Sequence, residues 1–406
     1  MKSSILFVNP SWESEALIRA FIQASYFVIG FGQNSSVSLS SNNYRHVYGN
    51  LEDYVHLLGL AKLYDVQAIA SDNCDYSLLA SEYLSELLNL PCLGRKAAQI
   101  SNNKSQQRYL AECAFIPQPK WKSVLSYSDI VDFLHNTADK AMIKPVDSRG
   151  SMGITLLCEH DSPSHIHKAF AKALSSSPSK QLLVEEYVDG KLLTIDGFLL
   201  NGDLILLAIA ERVRIGEGKL VTTQIFYRSS LPKTLINQSY KFLYSVVSAL
   251  GYSKGHIHCE ALITDSSKLF LVECTNRGGG VFTSSTINPY VSSLDVNSMY
   301  MNEKQCSKVD NISSVMDSVK WTNTNNASLI FPALGIPGQV LYRFDTEEIQ
   351  NHPDVLAVRL FQKVGRPLSV QADGPSRHCA MVIKNSNPDE IDSIAKALIK
   401  KFTLAQ

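Results

Sequence analysis

Short apolar runs alternate with helical patterns over the first hundred residues, and this alternation limits the folds open to the chain. An apolar run at 5–8 precedes a helical pattern over 13–24, and a run at 66–70 precedes an amphipathic stretch over 76–88. Strands separated by helices are typical of βαβ units, in which the strands are parallel. The sequence therefore predicts an α/β domain with a parallel sheet over residues 1–100.

Two glycines in this segment raise the question of a dinucleotide site. Gly30 and Gly32 begin the pattern G-x-G-x-x-G, but Ser35 stands where the third glycine belongs. The pattern is therefore a weak indication of a dinucleotide cofactor.

The order of elements changes after the first hundred residues. Helices and strands are mixed up to about residue 188, and strands dominate over 192–273 apart from a helix near 239–250. This order predicts an α+β domain over 101–315, with a subdomain over about 120–188.

The last part of the chain reads as a separate small α+β domain over 327–406. A polar stretch at 322–326 resembles a linker and precedes an apolar run at 327–331. Asn387 is expected to cap the final helix, whose apolar residues over 391–402 share one face.

Composition excludes several classes of protein. Of the 406 residues, 45% are hydrophobic, and 38 Lys and Arg balance 38 Asp and Glu, so we expect neither a disordered chain nor general adhesion to nucleic acid or membranes. The longest apolar runs fall far short of the roughly 20 residues of a membrane-spanning helix. The first residues read as a strand rather than a signal peptide. Eight single cysteines without a C-x-x-C pair are expected to be reduced core residues in the cytoplasm.

Lys144 stands at the end of a predicted strand, shortly before a glycine-containing loop. Gly150 and Gly153 allow the backbone to turn its N–H groups toward an anion, and Ser151 adds a hydroxyl donor. Together with the positive charge of Lys144, this set suits a polyphosphate, although its spacing differs from that of a P-loop. A hairpin turn with a solvated lysine fits the same residues equally well.

Two glutamates fall on neighbouring predicted strands. If residues 265–268 form a four-residue hairpin loop, Thr264 pairs with Leu269 and Glu260 lies directly across from Glu273. Like charges about 5 Å apart repel unless a cation lies between them, and two carboxylates that leave positions for phosphate and water suit Mg²⁺ better than zinc. The alternative is a wet sheet face with two ordinary glutamates.

Arg277 follows Glu273 and precedes a run of three glycines. A guanidinium beside a metal pair and a glycine run suits the binding of a carboxylate or an acyl phosphate. A surface turn is equally compatible with these residues.

The order of these motifs resembles that of the ATP-grasp superfamily, most closely its carboxylate–amine ligases that form dipeptides from L-amino acids. The resemblance covers nearly the whole chain. It implies an ATP-grasp fold with a Rossmann-like N-terminal domain, split nucleotide-binding α+β subdomains and a small C-terminal α+β domain that contains 333–338 and 376–377.

The resemblance implies a set of site residues. It assigns nucleotide binding to two lysines, the glycine loop and a hinge strand whose first glutamate and following backbone contact adenine: Lys104, Lys144, Gly150, Ser151, Met152, Gly153, Glu185, Glu186, Tyr187 and Val188. It makes Glu260 and Glu273 the metal ligands, Arg277 and Gly279 substrate-binding residues, and Lys144 and Arg277 catalytic residues.

Two positions depart from the family pattern. Leu192 replaces a glutamate that usually binds ribose hydroxyls, and Thr275 replaces an asparagine of the metal motif, with Asn276 one place later. Thr275 is a weaker ligand for Mg²⁺, so we expect water or Asn276 to complete the metal shell.

The resemblance implies an ATP-dependent ligase that joins a carboxylate to an amine, with amino acids as substrates, through an acyl phosphate and with release of ADP and phosphate. ATP and Mg²⁺, for which Mn²⁺ substitutes, are the implied cofactors. The partners are small molecules rather than nucleic acid or a membrane, and a homodimer is compatible with the resemblance. The alternatives are an ATP-grasp carboxylase or purine-pathway ligase, and a non-catalytic ATP-binding regulator. The base that deprotonates the amine is left open between Asp196, His256, His258 and Glu211.

Overall fold

Three sheets and a two-stranded ribbon organise the part of the chain that the computed structural model describes, which comprises residues 3–72, 74–200, 202–216, 220–304 and 324–406. No helix among these residues is long and apolar enough to cross a membrane. Seven cysteines lie in the described part and all are free thiols. Four of them are buried as expected, but Cys113 is exposed, so the expectation of core positions is wrong for that residue.

The N-terminal sheet is parallel, as predicted, with the order β3-β2-β1-β4. Its strands and helices are β1 (Ser4–Val8), α1 (Glu15–Gln23), β2 (Phe27–Gly32), β3 (Tyr44–Tyr48), α2 (Tyr54–Leu63), β4 (Val66–Ala70) and α3 (Asp75–Leu87). Strand β3 and helix α2 were not predicted from the sequence patterns. Gly30 and Gly32 lie inside strand β2 rather than in a loop after β1, so they form no dinucleotide-binding turn.

A second, antiparallel sheet forms the predicted subdomain and has the order β5-β8-β6-β7. Helices α4 (Arg95–Ser101) and α5 (Lys104–Cys113) lead into it. Its elements are β5 (Trp121–Val124), α6 (Tyr127–Asn136), β6 (Lys140–Pro145), β7 (Thr155–Cys158), α7 (Pro163–Ser176) and β8 (Leu182–Glu186). We call this subdomain the lid.

The central sheet has eight antiparallel strands in the order β13-β12-β9-β10-β11-β14-β17-β16. The strands and helices between residues 191 and 304 are β9 (Lys191–Leu200), β10 (Asp203–Ile215), β11 (Val221–Tyr227), α8 (Lys233–Leu250), β12 (Gly255–Ile263), β13 (Leu269–Thr275), α9 (Asn288–Ser292) and α10 (Val296–Glu303). Nine of the ten residues of β9 are buried, because α8 covers one face of the sheet and the N-terminal domain packs on the other.

The C-terminal segment extends the central sheet rather than forming a sheet of its own. Its elements are β14 (Ala327–Ile330), β15 (Leu341–Phe344), α11 (Thr346–Gln350), β16 (Val355–Leu360), β17 (Cys379–Lys384), α12 (Ile391–Phe402) and β18 (Thr403–Ala405). Strand β14 pairs with β11, while β15 and β18 form the ribbon. The predicted final helix is confirmed, and the Asn387 side chain accepts from the N–H of Asp389 ahead of it. Residues 322 and 323 of the predicted linker lie outside the described residues, and the domain boundaries stay a prediction.

Candidate active site

Glu260 of β12 pairs directly with Glu273 of β13, as the sequence predicted, but the hairpin reaches this register by a different route. Ile263 rather than Thr264 pairs with Leu269, so the loop is longer than expected. A β-bulge at Val272 then absorbs one residue of β13, because Ala261 pairs with Leu271. The two deviations cancel, and the two carboxylates emerge side by side.

Each of the two glutamates has a cationic partner. Glu273 Oε2 lies 2.9 Å from Nζ of Lys104, and Glu260 Oε1 lies 2.7 Å from Nη2 of Arg212. Burial opposes ionisation of Glu273, but Lys104 overrides it and lowers the pKa of this carboxyl to about 2. Burial likewise disfavours the charged form of Lys104, yet Glu273 raises the pKa of the lysine above its ordinary value. Glu273 is therefore ionised, and a cation on either side keeps the two carboxyl groups together.

Lys144, at the end of β6, belongs to a buried network. Its Nζ forms an ion pair with Oε2 of Glu185, whose Oε1 accepts from Nε of Arg108 at 2.7 Å. Burial lowers the pKa of Lys144, and Glu185 partly offsets that effect. Both oxygens of Glu185 are occupied by cations, so this residue positions Lys144. Contact between its carboxylate and adenine, as the resemblance implied, would require release of one of the two cations.

The hinge after β8 is also partly engaged with the protein. The backbone N–H groups of Glu186 and Tyr187 donate to the carbonyl oxygens of Lys120 and Lys140 at 2.9 Å each. Hydrogen bonds from this segment to a base would therefore involve the N–H of Val188 or the carbonyl oxygens, rather than the N–H groups of the two preceding residues.

The glycine loop lies between β6 and β7 and has the left-handed backbone that glycine permits. Gly150 and Gly153 have φ of 62° and 76°, and Ser151 between them has φ of 62°. A Cβ atom on Gly153 would lie 2.6 Å from Cβ of Ser176, so the close packing against α7 requires glycine. Lys104 contributes here as well, since its Nζ donates to the carbonyl oxygen of Ser148 at 2.8 Å.

One cleft between the lid and the central sheet brings most of the predicted residues together. Its empty volume is about 1170 Å³, part of it open to solvent. The predicted residues that line it are Lys104, Lys144, Gly150, Ser151, Met152, Glu185, Glu186, Tyr187, Val188, Glu260 and Glu273. Of the other predicted residues, Gly153, Arg277 and Gly279 are not among the lining residues. Cationic side chains and apolar surface share this cleft, as expected of a site for a polar ligand with a flat apolar part.

Arg277 lies in a small cavity next to the cleft, together with Lys104, Glu273 and Arg149. It donates to both oxygens of Asp75, at 2.6 and 2.9 Å. Burial opposes its charge, but Asp75 raises the pKa of Arg277 above its ordinary value. Asp75 therefore fixes the guanidinium of Arg277 in the cavity that Glu273 also lines.

Gly279 packs closely against His258 of β12 and Thr283. A Cβ atom at this position would lie 2.7 Å from Nδ1 of His258 and 2.7 Å from Cγ2 of Thr283. Only glycine fits there without a shift of its neighbours.

Asn276, the alternative to water for completing the metal shell, is not among the residues that line the cleft. Its side chain is 1% exposed, and its Nδ2 donates to the carbonyl oxygens of Lys254 and His256 at 2.9 Å each. Thr275 is buried too, and its hydroxyl donates to the carbonyl oxygen of His258. Leu192, which replaces the glutamate that usually binds ribose hydroxyls, lines the cleft.

The four candidate bases are separated by the structure. Asp196 and His258 form a pair, with Oδ1 2.6 Å from Nδ1, and Nε2 of His258 lies 3.9 Å from Oε1 of Glu260. His256 is buried between the rings of Phe198 and Tyr300, and burial lowers its pKa to about 4. Glu211 is exposed beside Lys191. Asp196 and His258 are therefore the two candidates close to the metal pair.

The sequence analysis missed several charged residues of the site. Asp75 holds Arg277, Arg108 holds Glu185, and Arg377 of the C-terminal segment lines the cleft. The partners of these residues lie far away in the chain, so no local pattern indicates them.

The donor set fits a hard divalent cation bound together with a polyphosphate. The carboxyl groups of Glu260 and Glu273 lie side by side in a cleft that also carries the lysines and the glycine loop. No group of three or more His, Cys, Asp or Glu side chains suited to a metal occurs among the described residues. A shell of two carboxylates completed by phosphate and water oxygens suits Mg²⁺, which keeps several such ligands.

Comparisons with known proteins agree with this geometry. Residues 139–285 match the family model of the ATP-grasp domain. No curated protein matches the chain by sequence. Among solved structures, the L-amino acid ligase from Bacillus licheniformis is similar over 100% of both chains, with 13% identity and a TM-score of 0.81. The phosphoribosylglycinamide synthetase from Anaerococcus prevotii is similar over 100% of both chains, with 12% identity and a TM-score of 0.73.

A third similar structure is the biotin carboxylase domain dimer of the 2-oxoglutarate carboxylase from Hydrogenobacter thermophilus, in complex with magnesium ADP, ADP and bicarbonate. It is 11% identical, and the match covers 100% of this chain and 91% of that one with a TM-score of 0.73. The predicted fold is therefore confirmed. Residues 139–285 therefore match the ATP-grasp domain family, and the fold of the chain resembles that of these enzymes over its full length.

Proposed function

We propose that the protein is an ATP-dependent ligase that joins a carboxylate to an amine, with amino acids as substrates, through an acyl-phosphate intermediate. The observation that carries the proposal is the convergence of Glu260 and Glu273 with Lys104, Lys144 and the glycine loop on one cleft. A cleft with paired carboxylates and several cations suits a complex of a divalent cation with a polyphosphate.

The chemistry follows from the weakness of a carboxylate as an acylating agent. A carboxylate oxygen attacks the γ-phosphorus of ATP, and the bond to ADP breaks. The amine then attacks the acyl carbon and expels phosphate. Lys104, Lys144 and the N–H groups of the glycine loop hold the phosphates in position and offset their charge. Magnesium held by Glu260 and Glu273, for which manganese is a substitute, would neutralise charge on the transferring group.

Arg277 would stabilise the acyl phosphate from the cavity next to the cleft. Asp75 already fixes the orientation of the Arg277 side chain, so little conformational entropy is lost when the intermediate forms. The positive charge is therefore in position before the reaction. Gly279 packs against His258 and, having no side chain, would leave space for the substrate there. The glycine loop would exclude water from the intermediate, because hydrolysis would waste ATP.

The likeness to an L-amino acid ligase supports amino acids as the substrates, and the reaction is expected in the cytoplasm, where single cysteines stay reduced. The alternative of a carboxylase or purine-pathway ligase receives support from the other two similar structures, one of them bound to bicarbonate. A homodimer stays a prediction.

A phosphate-release screen distinguishes these functions. The full-length protein is incubated with ATP and Mg²⁺ and with pairs of L-amino acids, small acids or bicarbonate, and products are identified by mass. The proposal predicts phosphate release that requires an amino acid. It also predicts a product whose mass equals that of the acid plus that of the amine minus one water. Release that requires bicarbonate instead would favour the carboxylase alternative. Nucleotide binding without any acid-dependent release would favour a non-catalytic regulator.

A further inference from the structure

A loop of the C-terminal segment forms one wall of the nucleotide cleft. Asp373, Gly374 and Arg377 line the cleft together with residues of the lid and the central sheet, and we call residues 371–377 the C-terminal loop. The N–H of Gly374 donates to the carbonyl oxygen of Gly150 at 3.0 Å. The C-terminal loop therefore touches the glycine loop directly.

Arg377 brings a desolvated positive charge into this wall. Its guanidinium carbon lies 3.5 Å from the centre of the Phe331 ring, which fixes the plane of the group. Its Nε atom is buried and has no hydrogen-bond partner among the described residues. Burial, and then the nearby charge of Arg212, lower the pKa of Arg377 to about 10. The side chain is thus a rigid cation with unused hydrogen-bonding capacity.

Two cations and two anions meet in this part of the cleft, namely Arg377, Arg212, Glu260 and Asp373. Arg212 uses Nη2 for Glu260 and Nε for Oγ1 of Thr194. Glu260 is thus already paired, while Arg377 faces both Arg212 and Glu260 across the same cleft. Because Nε of Arg377 has no partner among the described residues and Arg212 is engaged with Glu260 and Thr194, Arg377 has hydrogen-bonding capacity left for an anionic ligand in the cleft.

The location of Arg377 within the cleft indicates which anionic group it would bind. Lys144 is held by Glu185 at the hinge end of the cleft, whereas Arg377 lies at the Glu260 end, near the metal pair. A triphosphate that extends from the hinge to the metal pair would place its terminal phosphoryl group there. The planar guanidinium matches the oxygens of such a group with two parallel hydrogen bonds.

We propose that Arg377 is a catalytic residue that contacts the phosphoryl group in transit from ATP to the carboxylate. The inference rests on the proposed function. In this step a carboxylate oxygen forms a bond to the γ-phosphorus, the bond from that phosphorus to the bridging oxygen breaks, and its electron pair stays on ADP. Arg377 donates hydrogen bonds to oxygens of the transferring group and neither gives up nor receives a proton.

The test compares nucleotides with and without the terminal phosphoryl group. Full-length wild type, Arg377→Met and Arg377→Lys are titrated by calorimetry with ADP and with the β,γ-imido analogue of ATP, both with Mg²⁺. Arg377→Met should weaken analogue binding by about tenfold or more and change ADP binding by less than about threefold, and Arg377→Lys should recover part of the loss. Turnover by Arg377→Met should fall by about 10²-fold or more, with the KM of the acid unchanged.

Arg228→Met is the matched control, because Arg228 also stacks on an aromatic ring, that of Phe226 at 5.1 Å, but does not line the cleft. It should bind both nucleotides as the wild type does. Unfolding midpoints of all variants check the fold, and Arg377→Lys carries the comparison if Arg377→Met is unstable.

Equal losses for ADP and the analogue, or no loss for the analogue, would overturn the assignment of Arg377. A change confined to the KM of the acid would also overturn it, because the anion would then be the substrate carboxylate. Failure of the proposed function has a different result. In that case the wild type binds the analogue but releases no phosphate with any acid. This outcome contradicts the ligase function and leaves the calorimetric comparison valid. Wild type that binds neither nucleotide contradicts both.

Discussion

Arg108 donates from Nη2 to the carbonyl oxygen of Val272 at 2.7 Å, and Val272 is the residue of the bulge that brings Glu273 opposite Glu260. The same guanidinium donates from Nε to Glu185, which positions Lys144. A single buried side chain therefore fixes both the register of the carboxylate pair and the orientation of a nucleotide lysine, although it does not line the cleft itself.

Replacement of Arg108 tests this coupling. We expect Arg108→Met to lower the free energy of unfolding by about 3–5 kcal/mol, because it leaves the buried Glu185 with one cation fewer and the Val272 carbonyl without its donor. Urea denaturation measures the change. The control Arg228→Met breaks an exposed ion pair with Asp389 and should cost less than about 1 kcal/mol. Similar values for the two variants would refute the structural role of Arg108.

Lys144→Ala should abolish ADP formation, with a fall of at least about 10²-fold in turnover, while the circular dichroism spectrum stays that of the folded protein. The reason is the loss of the charge that Glu185 holds toward the phosphates. Lys140 lies on the same strand but is exposed, so Lys140→Ala serves as the control and should leave turnover unchanged. Unchanged turnover in Lys144→Ala would contradict the assignment.

The two central-sheet glutamates should determine the dependence on metal. We expect Glu260→Gln and Glu273→Gln each to raise the Mg²⁺ concentration for half-maximal ADP formation by about tenfold or more, since each removes a charged ligand. Asp265→Asn changes an exposed carboxylate in the same hairpin and should have no effect. If neither glutamate variant alters the metal dependence, the pair does not bind the cation.

Glu273 should also make stability depend on pH. Its pKa of about 2 in the folded protein lies below the ordinary value of 4.5, because Lys104 overrides the effect of burial. Ionised Glu273 therefore stabilises the fold above pH 4.5, and this contribution is lost as the pH falls toward 2. We expect Glu273→Gln to be less stable than wild type at neutral pH, and the difference to shrink below pH 4.5. Urea titrations across this range measure it, and a difference that is constant or grows in acid would contradict the account.

Local patterns in the sequence predicted local structure well. The final helix follows from its cap at Asn387 and its apolar face, and both are present. The positive φ of Gly150 and Gly153 matches the reason for expecting glycine there. The opposition of Glu260 and Glu273 was also correct, but only because a longer loop and the bulge at Val272 compensate each other.

Contacts between distant parts of the chain were beyond local patterns. Arg108 and Glu185 are 77 positions apart, and Arg277 and Asp75 are 202 positions apart. Such contacts decide whether a buried carboxylate faces a ligand or another side chain. For this reason Glu185, which was expected to contact adenine, instead positions Lys144. The same holds for Arg377, whose importance follows only from the packing of the C-terminal loop against the lid.

The most direct test of the ligase mechanism follows an oxygen atom. Once the screen has identified an acid substrate, its carboxylate is labelled with ¹⁸O and the released phosphate is analysed by mass spectrometry. Attack of the carboxylate on the γ-phosphorus, followed by attack of the amine on the acyl carbon, leaves one labelled oxygen on the phosphate. The account predicts one ¹⁸O atom per phosphate released. Unlabelled phosphate, or label in AMP, would contradict an acyl phosphate formed between Lys144 and the Glu260–Glu273 pair.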